Sequence, residues 1–413
     1  MFYAGATILL GLIFPRLEYR YLAGFRHGMT VAGATAVFSS IASGMLALTG
    51  IVFSLAFVMV QFSSIAYSPR LVVWFSRDPV ISHGMGIFTA TFIYSLVALG
   101  WVDRNGDGRV PFFSSWLVIF LVIASVMVLA LLVQRLAALQ LSGVIAFIGK
   151  RGRQVIAEMY PVIVTAEGDK GAIENLSNAP APSLPVTQVV LHSGAPMAIA
   201  RYDVRGLVEL AKQAGGVIVM PLAVGDTLVE GDTLLTVHGG HQTIPSTVLR
   251  RAVQLEHHRT FDQDPKYALR LLVDIAIRAL SPALNDPTTA VQALDQIEDL
   301  LRRIGTRHLE VGQLADNSGI LRLIFPTPTW EDFLSLAFDE TRFYGATSLQ
   351  VARRLRTALY DLDRIVPPSR QNAIRLYIHH LDVTVRNSIS DSEDLTTALQ
   401  QDRQGLGLSR KRD

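Results

Sequence analysis

Residues 112–136 read FFSSWLVIFLVIASVMVLALLVQRL, and this stretch decides the class of the protein. Its one charged residue, Arg135, stands near its far end. About 20 apolar residues suffice to cross the hydrocarbon core of a bilayer, so the stretch predicts a transmembrane helix. Two others match it upstream. Residues 31–60 (VAGATAVFSSIASGMLALTGIVFSLAFVMV) hold no charge at all, and a single crossing needs only part of them, near 39–61. Residues 80–102 (VISHGMGIFTATFIYSLVALGWV) end with Trp101 at interface depth. The run 1–14 has neither a basic leader nor a small-residue cleavage site, so it reads as a short first span and points to a start further upstream. Four spans are expected.

Working outward, the charge follows the same division. Only 13 of the first 150 residues are charged, nine basic and four acidic, against 59 of the remaining 263. The first part is therefore poorer in charge than ordinary soluble domains, and the second is typical of them. This excludes a fully soluble enzyme and a fully embedded transporter. The chain has no cysteine, which excludes disulfides, thiolate metal sites and a cysteine nucleophile. The near-neutral soluble part lacks the basic footprint of a nucleic-acid binder.

No Asp, Glu, Lys or Arg interrupts a span, so nothing resembles a proton relay or a charge-coupled pump. The polar content of 31–66 is Ser39, Ser40, Ser43, Ser54, Gln61, Ser63 and Ser64, with Gly33, Gly44 and Gly50. Such residues let helices approach closely, or they line a polar path. The loop Asp103-Arg-Asn105-Gly-Asp107-Gly108 has the opening of a calcium loop, but Ser114 replaces the twelfth-position Glu. A tight polar turn is the competing reading. If both termini are cytoplasmic, six basic residues lie inside (Arg70, Arg77, Arg135, Lys150, Arg151, Arg153) and five outside (Arg16, Arg20, Arg26, Arg104, Arg109). The cluster after the last span favours a cytoplasmic C-terminal half in the inner membrane.

Beyond 136 the class is α+β. Residues 137–185 read as a connecting helix with a basic collar (149–153) and the linker SNAPAPSLP (177–185). A small β-rich subdomain spans 186–244, where LAVGDTLVEGDTLLTVH (222–238) places two Gly-Asp turns six residues apart. That spacing resembles a barrel-sandwich carrier domain, but no lysine occurs between Lys212 and Lys266 to receive a cofactor. No cofactor is expected. A helical domain is expected over 245–404 and a disordered tail over 405–413. Asp264-Pro265 and Asn285-Asp286-Pro287 are N-cap signals that open two successive helices. Lys266, Arg270, Asp274 and Arg278 stand four apart on the first, so Asp274 pairs with Arg270 or Arg278 in a structural polar network with Asn285 and Asp286. Gly305 is the expected C-cap of the second helix. His257, His258, Asp262 and Asp264 form a candidate metal cluster, weighed against a plain polar network, and Asp264 is needed as a cap. No G-x-S-x-G elbow, P-loop or H-E-x-x-H motif argues for an enzyme.

Four stretches carry a family resemblance: TGIVFSLAFVMVQFSSIAYSPRL (49–71), VGDTLVEG (224–231), HRTFDQDPKYALRLLVDIAIRALSPALNDPTTAVQ (258–292) and FDETRFYGATSLQVARRL (338–355). Through them the chain resembles the bacterial predicted membrane proteins grouped as domain of unknown function 2254. The resemblance implies a multi-span N-terminal domain followed by a soluble domain, and no particular activity. The very short N-terminus and the 103–108 loop depart from the family's pattern. The expected roles are an oligomeric, channel-like or transport-related homo-oligomer in the bilayer with a soluble regulatory or assembly domain, or a membrane-anchored sensor or scaffold. A membrane enzyme using 257–264 ranks behind both.

Overall fold

A computed structural model describes residues 2–21, 29–66, 79–104, 106, 108–138, 141–163 and 184–407. Most of the expected linker, Arg26, Arg70, Arg77, Asn105, Asp107 and the tail beyond 407 lie outside the described residues. So do the side chains of Arg135, Gln61, Ser63 and Ser64. The chain divides into two units, Met1–Leu141 and Ser142–Asp413.

The first unit holds helices α1 (Phe2–Tyr21), α2 (Val31–Ala66), α3 (Pro79–Leu99) and α4 (Phe112–Ala138). Among the described residues, three segments are long and apolar enough to cross a membrane: Val31–Ser54, Ser82–Leu99 and Phe112–Gln134. Helix α1 is not among them, and its last two turns carry Arg16, Glu18 and Arg20. It lies along α3 in the same direction. The Tyr3 hydroxyl meets His83 Nδ1 at 2.8 Å, and Tyr19 Oη donates to the Trp101 carbonyl at 2.8 Å. Midway, a Cβ on Gly11 would stand 2.9 Å from Val97 Cγ1.

Glu18 is buried, only 6% exposed, and its carboxylate closes the start of α4 from another helix. It accepts the N–H of Phe113 at 2.8 Å and of Ser114 at 3.1 Å, and the Ser114 hydroxyl at 3.0 Å. The first turn of a helix leaves N–H groups without intrahelical partners and carries positive partial charge, which a carboxylate satisfies on both counts. Glu18→Ala is expected to cost about 1.5–3 kcal/mol, the value of hydrogen bonds to a charged group. The check is a thermal melt of the full chain in detergent.

Polar side chains in the spans divide by face. Thr91 Oγ1 and Ser125 Oγ lie 3.0 Å apart and join α3 to α4, and Ser95 donates to the Thr91 carbonyl. Helix α2 buries Ala34, Phe38, Ala42, Met45 and Val52. Its opposite side shows Ser40, Ser43, Gly44, Ala47, Gly50 and Ser54, all exposed. Among the described residues, no atom outside the helix's own neighbouring backbone lies within 4 Å of where a Cβ would stand on Gly44 or Gly50. Close packing within the chain therefore accounts for the inward alanines and not for this outward stripe.

The second unit begins with α5 (Leu141–Met159), whose glycines seat it. A Cβ on Gly152 would stand 2.9 Å from Leu300 Cδ1 and 3.0 Å from Ala268 Cβ. The expected basic collar is thus split: Arg153 pairs with Asp299 at 2.9 Å, while Lys150 stays exposed. The strands are β1 (Val186–Leu191), β2 (Met197–Tyr202), β3 (Gly216–Val219), β4 (Thr227–Leu228), β5 (Thr233–Gly239), β6 (Val253–Glu256), β7 (Gln313–Ala315) and β8 (Leu321–Ile324). They form a sheet of order β1-β5-β3-β8-β7 and another of order β4-β2-β6. Helix α6 (Val204–Ala214) is capped by Asp203 and ends at Gly215 with φ +72°.

This corrects two expectations. The strands of 186–244 do not close on themselves as a barrel-sandwich, and the chain from 245 is not all helical. Strand β6 pairs antiparallel with β2, and β8 pairs parallel with β3. Runs of three or four residues carry too little periodicity to be told from helix, and their pairing partners lie far off in sequence. The two Gly-Asp turns are physical twins. Asp226 accepts the Ala223 N–H at 2.8 Å and Asp232 the Val229 N–H at 2.8 Å, with Gly225 at φ +93° and Gly231 at φ +87°.

After α7 (Ser246–Arg251), the helices are α8 (Pro265–Ala279), α9 (Pro287–Gly305), α10 (Trp330–Gly345), α11 (Leu349–Ile365), α12 (Pro368–Ser388) and α13 (Ser392–Ala398). Asp264 and Asp286 cap α8 and α9 with Pro at the first position of each. Asn285, at φ +44°, makes the turn between them. Gly305 lies inside α9 and Thr306 is the C-cap. The glycine serves packing, because a Cβ there would stand 2.7 Å from Val366 Cγ1. Of the tail, residues 405–407 are described: buried Arg353 donates to the carbonyls of Thr397 at 2.7 Å and Gly405 at 3.2 Å.

Candidate functional site

Helices α9 and α11 bring together a dense cluster of charge. On α9, Asp295 stands three and four residues before the neighbours Glu298 and Asp299, and Arg302 four and three after them, so the four share one side. Arg354 and Asp361, two turns apart on α11, face them. Arg354 Nε donates to Asp295 at 2.8 Å and its Nη2 to Glu298 at 2.5 Å. Arg302 also pairs with Glu298, and with Asp361 at 3.0 Å. Asp361 is met further by Arg364 at 3.2 Å and Arg403 at 3.5 Å. With Arg403 and Gln404 these residues line a cleft of about 470 Å³. Its floor is Arg354, Glu298 and Asp361, all buried.

A second polar node surrounds Asp264, which is 1% exposed. One carboxylate oxygen accepts the Tyr267 N–H at 3.1 Å and caps α8. The other accepts the Arg259 Nε–H at 2.8 Å, and Arg259 Nη2 stands 2.7 Å away in the same ion pair. Burial pushes the Asp264 carboxyl above its usual range, and Arg259 pulls in the opposite direction. Beside it lies a cavity of about 20 Å³ with Tyr160, Gln263, Lys266 and Phe325 in its wall, room for one water. The Tyr160 hydroxyl, in that wall, has no hydrogen-bond partner among the described residues, and burial raises its pKa. Gln263 clamps the node to the sheet through the Tyr202 N–H at 2.9 Å and carbonyl at 3.1 Å.

The residues singled out from sequence fall as follows. His257 and His258 are exposed beyond β6, and the Asp262 carboxylate accepts the Thr260 hydroxyl at 3.1 Å. Among the described residues no three His, Asp or Glu side chains converge on a metal-sized site. In the 103–108 turn, Asp103 at φ +50° accepts the Gly108 N–H at 2.7 Å. Arg270 meets Asp274 at 2.6 Å and also Glu340 of α10 at 2.7 Å, a partner that spacing along one helix could not reveal. Asp286 is occupied in capping, through the Thr289 N–H at 3.1 Å and hydroxyl at 2.5 Å. Sequence reasoning missed the cleft. Read singly, α9 and α11 are amphipathic helices with solvated outer faces, and Arg354 reaches its carboxylates across 56 and 59 residues.

A family profile described as "Predicted membrane protein (DUF2254)" matches residues 1–361. The chain belongs to this family. An uncharacterized protein of Mycobacterium tuberculosis is 28% identical over 383 residues, which is 90% of this chain and 71% of the relative. An uncharacterized protein of Mycobacterium bovis matches to the same extent. No solved structure matches the chain. It is thus a predicted membrane protein with apolar helices in its first unit and an α+β second unit. The DUF2254 match ends at Asp361, so it takes in α9 and most of α11, while Arg364, Arg403 and Gln404 lie beyond it.

Proposed function

We propose that the chain is an oligomeric, channel-like membrane protein in which α2 faces its counterparts and the C-terminal unit has a regulatory or assembly role. The observation that carries this reading is the outward stripe of α2: Ser40, Ser43, Gly44, Ala47, Gly50 and Ser54. Hydroxyls gain nothing from lipid tails, whereas small residues allow a second helix to approach closely or leave room for a polar path. Helix α1 supports a fourth crossing, since it lies beside α3 and its 20 residues extend about 30 Å. Exposed Lys150 and half-buried Arg151, just after the last span, favour a cytoplasmic C-terminal unit and the inner membrane of a bacterium.

The absence of cysteine makes the test direct. Ser43→Cys and Gly50→Cys in the full-length chain should give disulfide-linked dimers on mild oxidation in membranes, and Phe38→Cys, buried inside the unit, should not. Charged thiol reagents reaching Ser43→Cys from water would favour a path over a packed contact. Absence of cross-linking along the whole stripe would overturn the reading. A second reading, a membrane-anchored sensor, draws on the charged cleft of α9 and α11.

A further inference from the structure

We infer that the cleft between α9 and α11 binds the oxyanion group, phosphate or carboxylate, of a small molecule. The inference deepens the sensor reading and rests on it. Arg354 is 5% exposed and uses two of its three nitrogens on Asp295 and Glu298. Its Nη1 is buried and has no hydrogen-bond partner among the described residues. A guanidinium nitrogen left without an acceptor costs more than a neutral group in the same position, and such groups call for an explanation.

The charge around it points the same way. The lining itself carries four carboxylates (Asp295, Glu298, Asp299, Asp361) and three guanidinium groups (Arg302, Arg354, Arg403). Arg153, Arg303 and Arg364 pair with the same carboxylates from outside the lining, so only the cluster as a whole holds two more guanidinium groups than carboxylates. Every one of these carboxylates already holds an arginine, so none is left to attract a cation strongly. Arg403 is the movable member. Its side chain is 80% exposed and reaches Asp361 at 3.5 Å, so turning it onto a ligand breaks one weak, solvent-screened contact. Planar guanidinium forks are suited to phosphate and carboxylate oxygens. The cleft's 470 Å³ is of the size that holds a small organic ligand.

The test uses the full chain in nanodiscs of phosphatidylcholine, with pyrophosphate, citrate and spermidine added separately and melting followed by intrinsic fluorescence. A parallel disc containing phosphatidylglycerol separates a lipid headgroup from a soluble anion as the source. Pyrophosphate, citrate or the anionic lipid should raise the melting temperature. Arg354→Lys keeps the charge and loses the fork, and should weaken binding at least tenfold. Arg403→Gln, at an exposed position, should weaken it severalfold without changing the unliganded melt. Stabilisation by spermidine alone would overturn the anion assignment and leave the sensor reading standing. Equal response of wild type and both variants would overturn the assignment to this cleft. No response to any probe would overturn both.

Discussion

Glu298→Leu is expected to lower the melting temperature of the C-terminal unit by about 10 °C. The carboxylate is buried and holds Arg302 on one oxygen and Arg354 on the other. Removing it strands the 5%-exposed Arg354 with only the half-exposed Asp295. Breaking a buried ion pair from one side costs about 3–5 kcal/mol, because the remaining charge stays out of water. In a unit of this size each kcal/mol is worth roughly 2–4 °C. The companion variant is the triple replacement Glu298→Met, Arg302→Met, Arg354→Met. Removing the group as a whole leaves much less charge stranded, so the triple variant should recover most of the loss. A single variant that melts with wild type would show that the floor of the cleft is solvated after all.

Asp264→Ala is the second large effect, a loss of about 2–3 kcal/mol measured by chemical denaturation. About 1 kcal/mol is the N-cap of α8, and the rest is the charge-assisted contact with Arg259. Asp264→Asn keeps the capping oxygen and should lose less. Wild type and Asp264→Asn also differ in their response to pH. Burial raises the folded-state pKa of Asp264 above its unfolded value. The stability linked to this proton is therefore complete below the unfolded value, near 3.8, and is lost as pH rises through the folded value. Wild type should accordingly gain on Asp264→Asn as pH is lowered from 7 towards 4. A gap that narrows over that range would contradict the burial of this carboxyl.

These two sites differ in how much of each was legible beforehand. Asp264 with Pro265, and Asp286 with Pro287, are local signals: a cap and its helix lie within four residues, so their chemistry is written in adjacent letters. The Arg259 partner was within reach at five residues but carried no spacing rule. The cleft had no local signature, since its ion pairs join α9 to α11 and to Arg403 beyond α13. Glu18 is a similar case. A lone acid after a short apolar run says nothing of a helix start 95 residues away.

The sequence by itself determined the division into an apolar first unit and a charged second one, the positions of three helices long and apolar enough to cross a membrane, and the caps of α8 and α9. Each of these depends on interactions that recur every few residues, or on composition summed over a span. Only the tertiary structure decided that β8 lies parallel to β3, that Glu18 closes α4, that Ser40, Ser43 and Ser54 of α2 face outward, and that Arg354 keeps one nitrogen without a hydrogen-bond partner among the described residues. Those outcomes depend on which helix or strand becomes a neighbour, and neighbours are chosen by packing the whole unit.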